Sequence, residues 1–482
     1  MIESFIHTTE NNNYYLYDDQ NRLSMLLHPD FLKAYEESND ANPYYLKKYR
    51  YLKTHGIFAS PKFANFGSIN ESMVIESIIQ SPQIVFETVD YCNLKCTYCG
   101  FGELYEGFDA RNHKKMDIRY AKKMLKYIFD FKPEDKKSRL TISFYGGEPL
   151  LNMDFIKRII EFANQLNNEK KLELVFSMTT NATLIHKYIS FLVANKFDIF
   201  ISLDGDEKNH SYRIYNKKNK NSFHKVIENV DLIQRDYPEY FSTHINFNAV
   251  LNNRSSVREI HKFIYTRYNK IPRISEINLT GINPDKKDLI SKMYNNKLKS
   301  EIEFQNEKSN LLRAAHNELT VYNELIEFLK HYSVNFYISN ILDMIYNKEI
   351  YIPASTCLPF SKRIYFTINH KLLPCEKVNY AYSIGKVNEN VEINISEIVR
   401  QYNFYYDHLK KICQNCYAYR FCGLCIFQIK NLGQCDSKEI VCDRFYDQKT
   451  FKNKLFRIFS FLEKYPNDFF QILENVIVEG YL

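Results

Sequence analysis

A chain of 482 residues exceeds one ordinary hydrophobic core, so two or three domains are expected. With 45% apolar and 25% charged residues it reads as globular, and its formal charge of +7 is spread among interleaved acids, which argues against a nucleic-acid-binding protein. No apolar run approaches the roughly 20 residues of a membrane span, and the start, Met1-Ile-Glu-Ser-Phe-Ile-His, lacks the order of a signal peptide, so a cytoplasmic location is expected.

Residues 1–80 read as a small α+β domain. Tyr14–Tyr17 and Arg22–Leu27 flank Asp18-Asp-Gln-Asn21, a turn composition, and predict a hairpin. Helices are expected from Asp30 and over Pro43–Lys53, with Pro43 in the first turn and Gly56 past the end. The basic cluster Lys47-Lys48-Tyr49-Arg50 reads as a solvated face.

From residue 84 the pattern changes to strands alternating with amphipathic helices. Strands are expected at 84–89, 140–145, 172–178, 197–203, 244–250 and 274–279. Between them lie helical segments such as Phe155–Leu166 and Val257–Tyr265, the latter with Ser256 and Glu259 placed for a capping box. Six βα units predict a parallel sheet or partial barrel whose chemistry sits at the carboxyl ends of its strands. Residues 81–300 are assigned to this barrel.

The sequence concentrates its reactive residues at those ends. After the first strand comes Cys92-Asn-Leu-Lys-Cys96-Thr-Tyr-Cys99, three thiols that one short loop can bring to one inorganic centre. After the second comes Gly146-Gly147-Glu148-Pro149, where two glycines let the backbone approach a ligand. Thr180-Asn181 closes the third strand, and could equally be a helix cap. Ser202-Leu-Asp204-Gly205 ends the fourth, with His210 and Arg213 downstream. Residues 301–350, rich in Lys, Glu and Asn, read as a helical connector.

The other eight of the eleven cysteines fall between 357 and 442, and an odd total argues against a disulfide framework. Cys357 and Cys375 flank a hairpin through Ile364–Ile368 and Asn369–Lys371. Cys413, Cys416, Cys422, Cys425, Cys435 and Cys442 follow. Two CxxC pairs could make a four-thiolate zinc site, and eight cysteines could make two. Residues 351–450 form this field, and 451–482 read as C-terminal helices.

The CxxxCxxC loop resembles the signature of the radical S-adenosylmethionine (SAM) superfamily, and the GGEP and Ser-Leu-Asp-Gly stretches match its later motifs. The resemblance implies a partial (β/α)6 barrel and a [4Fe–4S] cluster held by Cys92, Cys96 and Cys99. SAM would fill the open iron, and its reductive cleavage would yield a hydrogen-abstracting 5′-deoxyadenosyl radical. Tyr98, Gly146, Gly147, Glu148, Thr180, Asn181, Ser202, Asp204 and Arg213 would surround the SAM. Ala182 stands where the family has glycine, and Arg213 follows His210 by three residues rather than four. The later cysteines resemble the SPASM extension, which holds two auxiliary [4Fe–4S] clusters. Transferred, Cys357, Cys375 and Cys425 would hold one, completed by Cys435 or a substrate group, and Cys413, Cys416, Cys422 and Cys442 the other. Two departures are the CxxC of Cys422 and Cys425, where relatives leave three residues, and a missing upstream cysteine.

Glu376, after Cys375, is a candidate catalytic base, since a sulfatase-maturing relative has an acid after a comparable cysteine. The N-terminal hairpin and helices resemble the winged-helix elements by which peptide maturases bind a leader as an added strand, and a structural cap would look the same. The expected activity is cross-linking of a ribosomally made precursor peptide, with an electron donor such as flavodoxin or ferredoxin. Formylglycine formation in sulfatases is the enzymatic alternative, and an inactive or zinc-bound peptide-binding scaffold the non-enzymatic one.

Overall fold

The computed structural model describes residues 2–58, 67–134, 138–279, 281–297, 356–419, 422–434, 439–442 and 444–468, with a few positions between 300 and 329. Cys435 and most of the connector expected over 301–350 lie outside the described residues. The chain divides into two compact units. One comprises Met1–Ser68, Ser309–Thr356 and Gln401–Leu482, and the other Ile69–Lys308 and Cys357–Arg400.

In the first unit, β1 (Phe5–Thr8), β2 (Tyr14–Asp18) and β3 (Leu23–Leu27) form an antiparallel sheet with β2 in the middle. The turn joining β2 to β3 is held by Asp18, whose buried carboxylate accepts from the Asn21 N–H (2.8 Å), the Ser4 hydroxyl (2.9 Å) and the Phe58 N–H (2.6 Å). Side chains alternate across the sheet as strand geometry requires. Ile6, Tyr14, Leu16, Met25 and Leu27 share a core with α1 (Pro29–Tyr35) and α2 (Pro43–Thr54). Asn42 caps α2, Pro43 occupies its first position, and Gly56 follows its end at φ +83°.

The second unit opens with α3 (Glu71–Gln80) and is built on a ten-stranded sheet. Six strands lie side by side in sequence order, all parallel: β4 (Gln83–Val89), β6 (Arg139–Gly146), β7 (Glu173–Thr180), β8 (Asp198–Ser202), β10 (Ile245–Leu251) and β11 (Arg273–Glu276). A helix follows each: α4 (Ile118–Phe131), α5 (Met153–Lys170), α6 (Ile189–Ala194), α7 (Phe223–Asp236) with the short α8 (Pro238–His244), α9 (Val257–Tyr268) and α10 (Lys287–Met293). The α4 helix shows why this pairing forms. Ala121, Met124, Leu125, Ile128 and Phe129 make one apolar stripe, each larger side chain contributing about 1.5–3 kcal/mol on burial. Ser256 and Glu259 close the capping box of α9.

The sheet does not stop at six strands. β12 (Ile364–Phe366) lies parallel to β4, pairing Ile364 with Ile84 and Phe366 with Phe86. Antiparallel β13 (Lys371–Leu373), β14 (Gly385–Val387) and β15 (Val391–Glu392) extend it. The hairpin bearing Cys375 is thus part of the barrel sheet. A separate ribbon pairs β5 (Leu94–Cys96) with β9 (Arg213–Tyr215).

The chain continues through α11 (Ile395–Cys413) and, in the first unit, α12 (Gln448–Lys464). The α12 helix covers the second face of the small sheet: Phe451 meets Phe5 and Tyr17, and Phe459 meets His7 and Tyr15. Residues 1–68 therefore share a core with the C-terminal segment. Among the described residues no helix is long and apolar enough to cross a membrane.

His7 is the polar member of that aromatic layer, and burial lowers its pKa from 6.5 to about 4. The unfolded chain therefore takes the proton first. The neutral ring's stability is complete above pH 6.5 and falls as pH drops toward about 4, by up to ~3 kcal/mol. Thermal melts between pH 7 and pH 5 are expected to show this loss, and His7→Phe to remove most of its His7-dependent part.

Candidate cluster and cofactor site

All four motifs singled out in the barrel sequence emerge from the carboxyl ends of parallel strands. The backbone leading from β4 to Cys92 lies directly on the glycine pair that ends β6. Gly147 N–H donates to the Val89 carbonyl (2.9 Å) and Glu148 N–H to the Tyr91 carbonyl (3.1 Å). A Cβ on Gly147 would stand 1.8 Å from the Tyr91 oxygen, and one on Gly146, at φ +116°, 2.5 Å from the Val89 oxygen. Only glycine lets the two segments touch.

Glu148 binds this junction to the next strand. Its buried carboxylate accepts from the Thr180 hydroxyl (2.6 Å) and from the N–H groups of Asn181 (2.8 Å) and Leu150 (3.1 Å). Burial raises its pKa to about 7, against the pull of these donors. Asn181 in turn gives its side-chain amide to Asn93 (2.9 Å) and to the Cys92 sulfur (3.5 Å). Thr180 and Asn181 therefore belong to the same hydrogen-bonded unit as Glu148 and the cysteine loop. Ala182 follows at φ +58°, so the residue standing for the family's glycine does occupy a left-handed turn.

On the other side, β5 and β9 place Cys96 opposite Arg213. The guanidinium clamps Asp204 through Nε–Oδ2 and Nη2–Oδ1 bonds, both 2.9 Å, and the carboxylate also accepts from Tyr98 and the Val250 N–H (2.9 Å). Burial alone would raise the Asp204 pKa, but Arg213 holds it below the usual range. Ser202 ends β8 two residues earlier. His210 is buried, its Nε2 against the Ser222 hydroxyl (3.0 Å) and its Nδ1 3.4 Å from the Asp204 N–H. Burial lowers its pKa to about 3, so it stays neutral.

Burial also pushes up the Cys92 thiol, to about 12, and the Cys96 thiol higher still; Cys99 adds to both shifts and Cys92 to that of Cys96. Metal coordination would deprotonate such thiols outright. The Cys92 sulfur already accepts from the Leu94 N–H (3.3 Å) as well as from Asn181. Among the described residues no three His, Cys, Asp or Glu side chains close on a single ion. Thiols around an iron–sulfur cluster stand farther apart than that.

Two groups in the barrel escaped sequence reasoning. Tyr145, one residue before Gly146, has its phenol pushed up by burial, then by Glu376 and Cys99, with Cys375 adding and Arg213 opposing. It therefore lies between the first thiol loop and the Cys375 hairpin. Glu87 of β4, also raised by burial, accepts from the Ile368 N–H (2.9 Å) and Tyr380 (3.3 Å) and faces Arg111 at 3.4 Å. It joins β4, the segment after the cysteine loop, and the β12–β13 hairpin. A buried acid in an apolar strand run was the available signal. Glu376 is paired with Arg363, whose Nη1 reaches both its oxygens at 3.1 and 3.0 Å, and it accepts from the Cys375 thiol (3.4 Å).

Cys413, Cys416, Cys422 and Cys442 come together in the first unit. The Cys413 thiol is raised by burial and then by each of the other three. Cys425 belongs to the same unit, whereas Cys357 and Cys375 belong to the other.

Fold and site define an α/β protein with a three-thiol loop at the carboxyl end of its parallel strands. Residues 86–264 match the model of the radical SAM superfamily. That family implies a [4Fe–4S] cluster and SAM, and the three thiols with their glycine cradle fit both. A cysteine-type anaerobic sulfatase-maturating enzyme of Clostridium novyi (strain NT) is 29% identical over 176 residues, 36% of this chain and 44% of the relative. The radical SAM cyclopropyl synthase TigE of Paramaledivibacter caminithermalis is 28% identical over 188 residues, 37% of each chain. The matches thus span less than half the length of these relatives. The solved structure of native anSMEcpe with bound AdoMet shares the fold, with a TM-score of 0.50 and 18% identity over 82% of this chain and 99% of that one.

Gly147→Ala is expected to displace the Tyr91 backbone and with it Cys92. Anaerobically purified variant should carry much less iron and sulfide than wild type. Ala182→Gly should instead stabilise the fold by about 1 kcal/mol, because glycine adopts the left-handed turn without steric cost, read as a higher unfolding midpoint.

Proposed function

We propose that the protein is a radical SAM peptide maturase that installs a cross-link, a thioether or a carbon–carbon bond, in a ribosomally made precursor peptide. The observation that carries the reading is the single bonded junction of the Cys92 loop, Gly146-Gly147-Glu148 and Thr180-Asn181 at the strand ends. Cys92, Cys96 and Cys99 would hold the cluster, with SAM against Gly146, Gly147, Glu148, Thr180, Asn181, Ser202 and Tyr98. When bound, cluster and SAM supply a carbon radical able to abstract substrate hydrogen.

The remaining work falls to this chain's own residues. Arg213, locked by Asp204, keeps Nη1 for an incoming carboxylate, which a guanidinium can grip in a fixed orientation. The buried barrel residues exclude water from a reactive centre. Cys413, Cys416, Cys422 and Cys442 would hold an auxiliary cluster, so that an electron released from substrate has somewhere to go. Glu376, held in place by Arg363, would accept a substrate proton. A flavodoxin or ferredoxin would supply the reducing electron. The small N-terminal sheet, with β3 paired only to β2 among the described residues, supports docking of an extended peptide on its edge.

The sulfatase-maturating relatives favour a second reading, formylglycine formation in a protein substrate. The two are separated by anaerobic co-expression with a short precursor peptide encoded beside the gene, followed by peptide mass spectrometry. Loss of two hydrogens that disappears in Cys96→Ala is the expected result. An unmodified peptide, with conversion of a sulfatase-derived cysteine peptide, would replace the first reading with the second. Zinc without sulfide in anaerobically purified protein would reject both.

A further inference from the structure

Between Cys416 and Cys422 the chain reads Tyr-Ala-Tyr-Arg-Phe, a spacer that takes no part in the chemistry above. Its two tyrosines are buried, Tyr417 at 3% and Tyr419 at 2% exposure, and both hydroxyls reach the small N-terminal sheet. Tyr419 donates to the Asp19 carboxylate (2.7 Å), a fully buried group that also accepts from Tyr17 of β2 (3.0 Å). The Tyr417 hydroxyl accepts from the Glu3 N–H (3.0 Å) and donates to the Glu3 carbonyl (3.1 Å). It serves the main chain just ahead of β1 as a neighbouring strand would. Phenylalanine would fill either space and make none of these bonds.

The main chain of the same two residues holds the cysteines. Tyr419 N–H donates to the Cys416 carbonyl (3.2 Å), and Cys422 N–H donates to the Tyr419 carbonyl (3.5 Å). Cys416 N–H in turn donates to the Cys413 carbonyl (3.1 Å). Tyr417 N–H donates to the Tyr446 carbonyl (2.9 Å), and Tyr446 N–H returns to the Cys416 sulfur (3.4 Å). Phe445 N–H reaches the Cys442 carbonyl (3.1 Å), which joins the last cysteine to the same set. Tyr419 is therefore bonded to a cysteine of each CxxC pair through its main chain, and to the turn between β2 and β3 through its side chain. That turn is itself fixed, because Asp18, beside Asp19, accepts from the Asn21 and Phe58 N–H groups (2.8 and 2.6 Å).

Resting on the reading in which Cys413, Cys416, Cys422 and Cys442 hold an auxiliary cluster, we propose that Tyr419 and Tyr417 are positioning residues for that cluster. The small sheet is the template on which the two CxxC pairs are set. Four thiolates meet one cluster only if both pairs are held at a fixed separation, and a five-residue spacer has many conformations to lose. The hydroxyl contacts remove that freedom before any cluster is assembled, as groups behind metal ligands do elsewhere. The anchor is a buried carboxylate, so taking away its donor leaves charge without its partner in a desolvated place. Residues 1–68 thus carry a task at the cysteine field that is separate from any peptide held at their sheet edge.

The test uses the full chain, purified anaerobically. Its auxiliary cluster is read as the iron, and the paramagnetic resonance signal of the reduced protein, that Cys413→Ser removes and SAM does not perturb. Tyr419→Phe is expected to release that iron to a chelator about tenfold faster than wild type, the ratio that one hydrogen bond to a buried charge is worth. The midpoint potential of the signal should shift with it, and Tyr417→Phe should act in the same direction. The double variant Tyr419→Phe/Asp19→Asn should be no faster than the faster single one, because both changes break one contact. Tyr15→Phe is the control. It removes a hydrogen bond from the same sheet to Glu463 of α12 (3.0 Å) and should leave iron release and potential at wild-type values, whatever it does to the melting temperature. SAM cleavage should match wild type in every tyrosine variant, which shows that they are folded. Wild-type iron release and potential in Tyr419→Phe, additive effects in the double variant, or equal loss of iron in Tyr15→Phe would overturn the proposal while leaving the cluster reading in place. A wild-type protein with no iron and sulfide that depend on Cys413 overturns the cluster reading, and the role of the tyrosines with it.

Discussion

Everything at the mouth of the barrel depends on two pieces of backbone lying closer than side chains would allow. Val89–Tyr91 and Gly146–Glu148 are bonded through their main chains, with no room for a Cβ on Gly147. Because β4 and β6 are neighbouring parallel strands, this contact sets where the Cys92 loop leaves the sheet. Glu148 then fixes the end of β7 to the same point by three accepted hydrogen bonds. A buried carboxylate with so many donors resists being moved, since every bond broken would leave a desolvated polar group. The loop is thus positioned by main-chain geometry before any ligand is considered.

The opposite side of the loop is governed by charge. Asp204 and Arg213 form a buried pair with two parallel contacts, and Tyr98 and the Val250 N–H fill the remaining acceptor positions. Such a pair gives little net stability over an apolar replacement, but removing one member costs about 3–5 kcal/mol by stranding the other. Its value is orientation. It ties the end of β8 to the strand facing Cys96, so the second thiol is braced by an ion pair while the first is braced by amides.

The six parallel strands were legible because each is a short apolar run followed by an amphipathic helix, and period and length are local properties. The α9 capping box and the Asp18 turn were legible for the same reason, since their partners lie within a few residues. What escaped was contact between distant segments. Nothing local in Ile364–Phe366 announces that it adds to β4 some 280 residues earlier, rather than standing as a hairpin in a separate domain. Glu87 stands out only as an acid in an apolar strand, and what it does could not be read, because its partners Ile368 and Tyr380 are brought to it by that pairing. Likewise residues 1–80 read as a domain of their own, whereas Phe5, His7, Tyr15 and Tyr17 need α12 to cover their face of the sheet.

The motif residues also divide by the kind of work they do. Gly146 and Gly147 act by what they lack, and Glu148 and Asp204 by what they already hold; their carboxylates are spent on protein donors. Single-letter matches to a family pattern cannot tell a group that touches a ligand from one that aims the group that does. Arg213 illustrates the difference. Its Nε and Nη2 are both committed to Asp204, which fixes the plane of the guanidinium. A lysine at this position could neutralise Asp204 but could not make two parallel contacts to it. The pairing therefore gives a physical reason for arginine at residue 213 that does not depend on the spacing from His210.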